Sequence, residues 1–182
     1  MINSYQDVEE VFGKDYDDWY WISIYQNLSE GFIREFKDGV DWYWISIHQH
    51  LSEGFIREFD LSINPDNWLY WNRDQKIEAV KNSPYEFDGE YLYAFKAVRK
   101  DFHSVYNFRF QYLPGQTFEV RCDHTNNKNS FGFSGWTKEK ALEYYNKGKI
   151  IKMKIHIDDL GRIVKGYKLR CKKFEVLEEI DV

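Results

Sequence analysis

A near-identical internal repeat constrains the fold of this chain more than any other feature. Residues 18–36 read DWYWISIYQNLSEGFIREF, and residues 41–59, which begin 23 positions later, read DWYWISIHQHLSEGFIREF. The copies differ only where Tyr25 becomes His48 and Asn27 becomes His50. Repetition at a fixed period of this size is typical of stacked arrays, in which each unit buries its apolar face against the next. The repeat therefore predicts an array with a binding role and no catalytic one.

Each copy has the pattern of two short helices joined by a tight turn. Asp41 precedes the WYWISI stretch and can cap a first helix, and Ser52 can cap a second one. Phe55, Ile56 and Phe59 then follow at helical spacing. WYWISI is also rich in residues that favour strands, so a strand is the alternative for that stretch.

The segments around the two copies resemble degenerate units. Residues 1–17 match the repeat at five positions when offset by 20, as expected of a terminal capping unit. Residues 61–84 contain NWLYW, which echoes DWYW, and we interpret them as a last, divergent unit. Gly31 and Gly54 are unfavourable near the start of a helix and indicate a close approach between helices.

The first helix of each copy is apolar on more than one face. Trp21 and Tyr25 lie away from the face of Trp19 and Ile22, and such helices must be covered on both sides. Core packing is the commoner explanation, and an exposed aromatic patch that awaits a partner is the functional alternative. The candidate partner-binding residues are Asp18, Trp21, Tyr25, Asp41, Trp44 and His48.

Charge and aromatic content divide the chain into two halves. Residues 1–84 carry 16 acidic and 7 basic residues, whereas residues 85–182 carry 14 acidic and 18 basic residues. Six of the seven Trp lie before residue 72. We therefore expect an acidic aromatic domain at 1–84 and a basic domain at 85–182. The first could approach a basic groove on another protein and the second could contact phosphate, unless both are ordinary solvated surfaces.

The second half has the pattern of a small antiparallel sheet with one helix. Strands are predicted at EYLYAFKAVRK, YNFRFQYL, QTFEVRC, IIKMKIHI, GYKLRC and KFEVLEEI, and a polar loop at DHTNNKNSFGFSG. Thr137 can cap the helix KEKALEYYNKG, which Gly148 would end. The whole chain is thus predicted to be α+β, with helical-hairpin repeats followed by the sheet domain.

Residue patterns for catalysis or metal binding are weak. Cys122, His124, His156 and Cys171 lack the paired spacing of a zinc site. Cys122 and His124 could share a strand face, but the sequence offers no third, orienting group and no oxyanion loop. Phosphate-binding glycine motifs are absent, and the two Cys indicate no disulfide framework. We expect a non-enzymatic protein without metal or cofactor.

Basic residues in the second half form the other candidate site. Interleaved with Tyr and Phe on neighbouring strands, they could pair with phosphates while the rings stack on bases. Acidic residues are almost as numerous there, so a solvated sheet face is the alternative. The candidate nucleic-acid-binding residues are Arg99, Lys100, Lys152, Lys154, Arg170, Lys172 and Lys173.

Hydropathy gives no indication of a membrane protein. The sequence has no apolar run near the roughly 20 residues that span a bilayer. Its first residues, MINSYQDVEEV, have neither the basic start nor the apolar stretch of a signal peptide. We expect a cytoplasmic protein with no membrane partner.

The repeat motif W-x-x-I-S-x-x-Q-x-L-S-E-x-F-I-R-E-F, at 19–36 and 42–59, resembles repeats in proteins of phages and mobile elements. The segments YLYAFKAVRK, GFSGWTKEKALEYY and LRCKKFEVLEEI look like a phage-associated domain found behind such repeats. In size and two-part build the chain also resembles anti-CRISPR proteins that inhibit type II effectors, the Cas9 nucleases.

This resemblance implies a phage-derived inhibitor in the cytoplasm of a host bacterium, with Cas9 as its partner. An acidic, aromatic surface can occupy the positively charged nucleic-acid channel of such a nuclease. The basic half leaves room for contacts with DNA or guide RNA. The alternative is a nucleic-acid-binding accessory protein of a phage or mobile element.

Overall fold

The computed structural model describes residues 1–64, 67–124, 126 and 131–180. The helices are α1 (Tyr5–Phe12), α2 (Trp19–Tyr25), α3 (Glu30–Glu35), α4 (Trp42–His48), α5 (Glu53–Glu58), α6 (Arg73–Lys81) and α7 (Lys138–Tyr144). The strands are β1 (Glu86–Phe87), β2 (Tyr91–Val98), β3 (Thr117–Glu119), β4 (Phe133–Trp136), β5 (Lys149–His156), β6 (Leu160–Val164), β7 (Lys168–Cys171) and β8 (Lys173–Ile180). The predicted α+β class, with helices first and an antiparallel sheet after them, is confirmed.

The chain divides into two compact units, Met1–Tyr70 and Trp71–Val182. The boundary therefore lies before α6, and not at residue 84 as the charge pattern suggested. Helix α6 belongs to the second unit because it packs there, and the Arg73 guanidinium forms an ion pair of 2.9 Å with Asp158. The second unit accordingly contains α6 in addition to the single predicted helix.

In the first unit, each repeat copy folds into a helical hairpin, α2–α3 and α4–α5. Asp18 Oδ1 accepts a hydrogen bond from the Trp21 amide, and Asp41 caps α4 in the same way. Ser29 caps α3 by accepting from the Phe32 amide. The helical interpretation of WYWISI is confirmed, because capping fixes the helix start and the apolar faces are buried.

Within each hairpin, the first Trp of the copy packs on the last Phe. The rings of Trp19 and Phe36 lie 5.3 Å apart, and the equivalent rings of the second copy lie 4.8 Å apart. A Cβ at Gly39 would sit 2.9 Å from the Trp19 ring, so this packing requires glycine. The expectation for Gly31 and Gly54 was wrong, since a Cβ there meets nothing nearer than a capping Ser hydroxyl at 3.8 or 3.9 Å.

The two copies are joined through the buried amide of Gln49. Its Oε1 accepts from the Leu28 amide at 3.0 Å, and its Nε2 donates to the carbonyls of Ser23 and Gln26 at 2.9 and 2.7 Å. At the surface, the guanidinium of Arg34 makes a two-pronged contact with Glu58. The stacking of the units thus rests on polar contacts that fix one register as well as on apolar burial.

At its start, the array is closed by half a unit. Ser4 caps α1 as Ser29 caps α3, which makes the structural offset 25 residues and not the predicted 20. The backbone of Ile2 exchanges hydrogen bonds with Asn27 and Ser29 and so covers the open side of the first copy. A terminal cap is present, but it contains only the second helix of a hairpin.

At its end, the array is closed by a single 3-10 turn at Trp68–Tyr70. The side-chain amide of Asn67 donates to the backbone carbonyl of Ser46, and the Tyr70 hydroxyl donates to the backbone carbonyl of Gln49. These carbonyls occupy the positions in the second copy that Ser23 and Gln26 occupy in the first. Asn67 and Tyr70 thus make the contacts to the second copy that Gln49 makes to the first. The predicted divergent last unit is reduced to this turn.

The second unit is built on an antiparallel sheet in the order β3-β8-β5-β2-β4-β7-β6, with β1 also paired to β2. The predicted strands at 149–156, 168–171 and 173–180 are confirmed. FGFSG is wrong as a loop, because Phe133–Trp136 forms β4. YNFRFQYL is wrong as a strand, because Phe110 and Tyr112 instead pack with the rings of Phe118, Phe133 and Phe174. Strand β6 was not anticipated.

Helix α7 begins at the predicted cap, with the Thr137 hydroxyl accepting from the Lys140 amide. It buries Ala141 against Ala97 and Ile150 of the two central strands. Gly148 does not end this helix, which stops at Tyr144. Gly148 instead lets the chain pass close to the Val98 carbonyl, which a Cβ at position 148 would overlap.

Candidate partner-binding surface

Six aromatic side chains form a continuous row across α2 and α4, here called the aromatic stripe. The ring of Trp21 stacks on Tyr25 at 4.3 Å, and the edge of Tyr20 meets Trp44 at 5.7 Å, which links the two copies. Trp44 in turn lies 5.3 Å from His48. The stripe comprises Tyr20, Trp21, Tyr25, Tyr43, Trp44 and His48.

Three of the six side chains of the aromatic stripe are exposed to solvent. Tyr20 and Trp21 are each 46% exposed and Tyr43 is 65% exposed, whereas Tyr25 and Trp44 are half-buried. Of the two explanations offered by the sequence, core packing holds for Trp19 and Trp42 and exposure holds for Trp21, whereas Trp44 is half-buried. Tyr20 and Tyr43 were missed by sequence reasoning, although their place between the two Trp in DWYW puts them on a third helical face.

Asp18 and Asp41 lie beside the stripe but are engaged as helix caps. Asp41 Oδ1 accepts from the amides of Tyr43 and Trp44, so its carboxylate orients the start of the helix that carries the rings. These residues therefore position the stripe. The wider surface is acidic, since residues 1–70 hold 14 acidic and 4 basic side chains.

The candidate basic residues of the second unit do not form one face. Arg170 is 1% exposed and donates to the Asp123 carbonyl, so its assignment to a phosphate-binding surface was wrong. Three consecutive residues of β7, ending in Cys171, are buried, and the guanidinium is enclosed with them. Arg99 lies at the end of β2, with its guanidinium carbon 4.2 Å from the centre of the Phe108 ring, and Lys100 is exposed in the turn that follows.

The remaining candidates are each matched by an acid. Lys152 forms an ion pair of 3.4 Å with Glu86, and Lys172 and Lys173 both lie near Glu119, at 3.0 and 3.9 Å. Lys152 and Lys154 share a strand face with β2 tyrosines, but the opposite neighbour, β8, places Glu178 and Glu175 beside them. Charge on this surface is therefore mixed, and exposed pairs of this kind contribute little energy.

The cysteines have the environment of inert core residues. Burial raises the pKa of the Cys122 thiol to about 12 and raises that of Cys171 well above its usual value. Both thiols are therefore protonated near neutral pH, and the thiolate is the nucleophilic form. Across 1–64, 67–124, 126 and 131–180, no group of three or more His, Cys, Asp or Glu side chains could hold a metal ion.

A cavity of about 430 Å³ in the second unit was not anticipated from the sequence. Its walls include Lys96 of β2, Ser134 of β4 and Tyr144 of α7. The ammonium of Lys96 lies within it and donates to the Ser134 carbonyl at 3.0 Å. The alternation of β2 could have revealed the burial of Lys96, which occupies the same register as the buried Leu92 and Ala94.

None of the helices in the described ranges is both long and apolar enough to cross a lipid bilayer. Comparison of the chain with models of protein families, with curated proteins and with solved structures finds no match.

Proposed function

We propose that the protein is a non-enzymatic, phage-derived inhibitor that binds a host defence nuclease of the Cas9 type through its repeat unit. The observation that carries the proposal is the aromatic stripe, which runs unbroken from α2 to α4 and is exposed at Tyr20, Trp21 and Tyr43. Exposed apolar patches of this extent mark interaction sites on proteins.

The energetics of association favour such a surface. Tyr and Trp dominate the binding energy of protein interfaces because they bury a large area with few rotatable bonds. The rings of the stripe already contact one another, and Trp21 is held against Tyr25 before a partner arrives. Little side-chain entropy is then lost on binding, which preserves affinity.

Charge supplies the link to a nuclease. The repeat unit carries ten more acidic than basic residues, and the nucleic-acid channel of a Cas9-type effector is strongly positive. Opposite potentials accelerate encounter and select the partner. An inhibitor that fills this channel blocks DNA targeting or cleavage without an active site of its own.

The test is a pull-down of the full chain with guide-loaded Cas9, followed by a DNA cleavage assay. Trp21→Ala/Trp44→Ala should weaken binding at least tenfold and restore cleavage. Arg57→Ala is the matched control, because this side chain is 80% exposed on α5 and forms an ion pair with Glu53 of its own helix. Absence of binding together with normal cleavage, across several Cas9 orthologues, would refute the proposal.

A second function, nucleic-acid binding through the sheet, rests on the lysines that lie over tyrosine rings. The ammonium of Lys154 lies 4.1 Å from the centre of the Tyr91 ring, and that of Lys152 lies 4.8 Å from Tyr93. Lys152→Ala/Lys154→Ala separates the two functions. If Lys152→Ala/Lys154→Ala abolishes nuclease inhibition, and DNA binding by the unsubstituted chain disappears between low and moderate salt, nucleic-acid binding is favoured over binding through the aromatic stripe.

A further inference from the structure

The cavity in the second unit has walls made mostly of aromatic rings. Trp136 and Tyr144 stack at 4.7 Å on one side, and Phe110 and Tyr112 lie parallel, 6.0 Å apart, on another. Tyr106, which is 80% exposed, lies at the mouth, 6.1 Å from Tyr144. Its volume of about 430 Å³ falls in the range of sites that take small molecules.

The charge of the lining is entirely positive. Lys96 and Arg121 both border the cavity, and none of the described residues that line it is an Asp or a Glu. On the outer surface of the same unit, by contrast, Lys152 pairs with Glu86, and Lys172 and Lys173 share Glu119. A ligand with an anionic group would be attracted, and a cationic one would be repelled.

Lys96 gives the cavity a fixed point of recognition. The residue is 8% exposed, and its ammonium lies 5.2 and 5.6 Å from the ring centres of Tyr112 and Trp136. Among the described residues it makes one hydrogen bond, to the Ser134 carbonyl, although an ammonium can donate three. A buried cation with donors to spare is satisfied by an anion that enters the cavity.

We propose that this cavity binds a nucleoside phosphate, with the phosphate at Lys96 and Arg121 and the base against the aromatic walls. Rings of Tyr, Phe and Trp stack on any base, because every base has a π-face. Asn107 borders the cavity and its side-chain nitrogen can donate to a base edge, whereas its Oδ1 and the Ser104 hydroxyl already accept from backbone amides. The ligand is either a free nucleotide or a nucleotide of a nucleic-acid strand with its base turned out of the stack.

Protonation of Lys96 gives the site a characteristic pH dependence. Burial lowers the pKa of its ammonium to about 8. The titratable groups of β7 that act on it are the Lys168 ammonium and the Cys171 thiol, which is protonated near neutral pH. The phosphate is already dianionic above pH 7, so only the lysine changes charge in this range. Affinity should be near its maximum at about pH 7, decline through pH 8, and fall by up to tenfold per pH unit at higher pH.

The experiment is calorimetric titration of the full chain at pH 7 with the four ribonucleoside monophosphates. Adenosine, ribose 5-phosphate and a hexaadenylate RNA serve as further probes. At least one monophosphate should bind, and its affinity should exceed that of adenosine and that of ribose 5-phosphate by more than tenfold. If the hexanucleotide binds more tightly than every monophosphate, the source of the ligand is a nucleic-acid strand.

Three variants make the test specific. Lys96→Met should weaken binding at least tenfold, and Tyr106→Ala serves if that variant does not fold, because the Tyr106 ring is exposed at the mouth. Lys100→Met removes an exposed lysine four residues away and should leave affinity within twofold. Absence of binding by every phosphate probe, or binding that neither Lys96→Met nor Tyr106→Ala changes, would overturn the proposal. Neither result bears on the aromatic stripe.

Discussion

Gln49 offers the sharpest test of how the repeats are held together. In Gln49→Leu, the amide of Leu28 and the carbonyl of Ser23 lose their only partner across the interface and are left buried. The carbonyl of Gln26 is half-buried and can bond to water. Each buried polar group without a partner costs about 1–3 kcal/mol, so the two groups together give a loss of roughly 2–6 kcal/mol.

That loss is large for a unit of this size. At about 0.05–0.15 kcal/mol per residue, a unit of residues 1–70 has a free energy of unfolding of roughly 4–10 kcal/mol. With a urea dependence of about 1 kcal/mol per molar, the unfolding midpoint should fall by about 2–6 M. Tryptophan fluorescence of the full chain monitors this transition, because five of the seven Trp lie in residues 1–70.

The chain supplies its own control. Gln26 is the same residue at the same position of the other copy, yet its side chain makes no hydrogen bond within the described ranges. Gln26→Leu should change stability by less than about 0.5 kcal/mol. Equal shifts for the two variants, or a loss below about 1 kcal/mol for Gln49→Leu, would show that the amide does not carry the interface.

Two further predictions follow from local structure. Gly31→Ala and Gly54→Ala should each stabilise the repeat unit by roughly 0.5–1 kcal/mol, measured as higher urea midpoints, because a Cβ fits at both positions; a lower midpoint would reveal an undetected contact. In the second unit, hydrogen bonds from the Tyr91 and Glu90 amides and the Tyr93 hydroxyl lower the pKa of Asp88 to about 2. Its stabilising contribution should be complete above about pH 4 and disappear as pH falls through 2, and a carboxyl NMR titration that gives an ordinary pKa would contradict this.

Local sequence information was sufficient wherever the determining contacts lie within a few residues. Asp18 and Ser29 cap helices through amides three positions away, so the hairpins could be predicted. The strands at 149–156, 168–171 and 173–180 were predicted from alternation, which is also a local pattern. YNFRFQYL alternates equally well but is not a strand, because Phe110 and Tyr112 are held by rings as far away as Phe174.

The candidate sites depended on longer-range structure. Arg170 and Lys172 are both basic residues near the end of β7, yet one is buried and the other exposed, and only the sheet register decides between them. Lys96 has the alternation of a core position, but the residues that line the cavity around it extend from 96 to 144 and are brought together only by the fold.

The two repeat copies separate these contributions most clearly. Their shared sequence determined the hairpin, its caps and the packing of its first Trp, because these contacts are made inside each copy. The tertiary structure alone decided that Ser23 is buried and accepts from the Asp41 amide, whereas the equivalent Ser46 donates to its own helix. An identical residue acquires a different role because its neighbour in the array differs, and that neighbour is supplied by the fold.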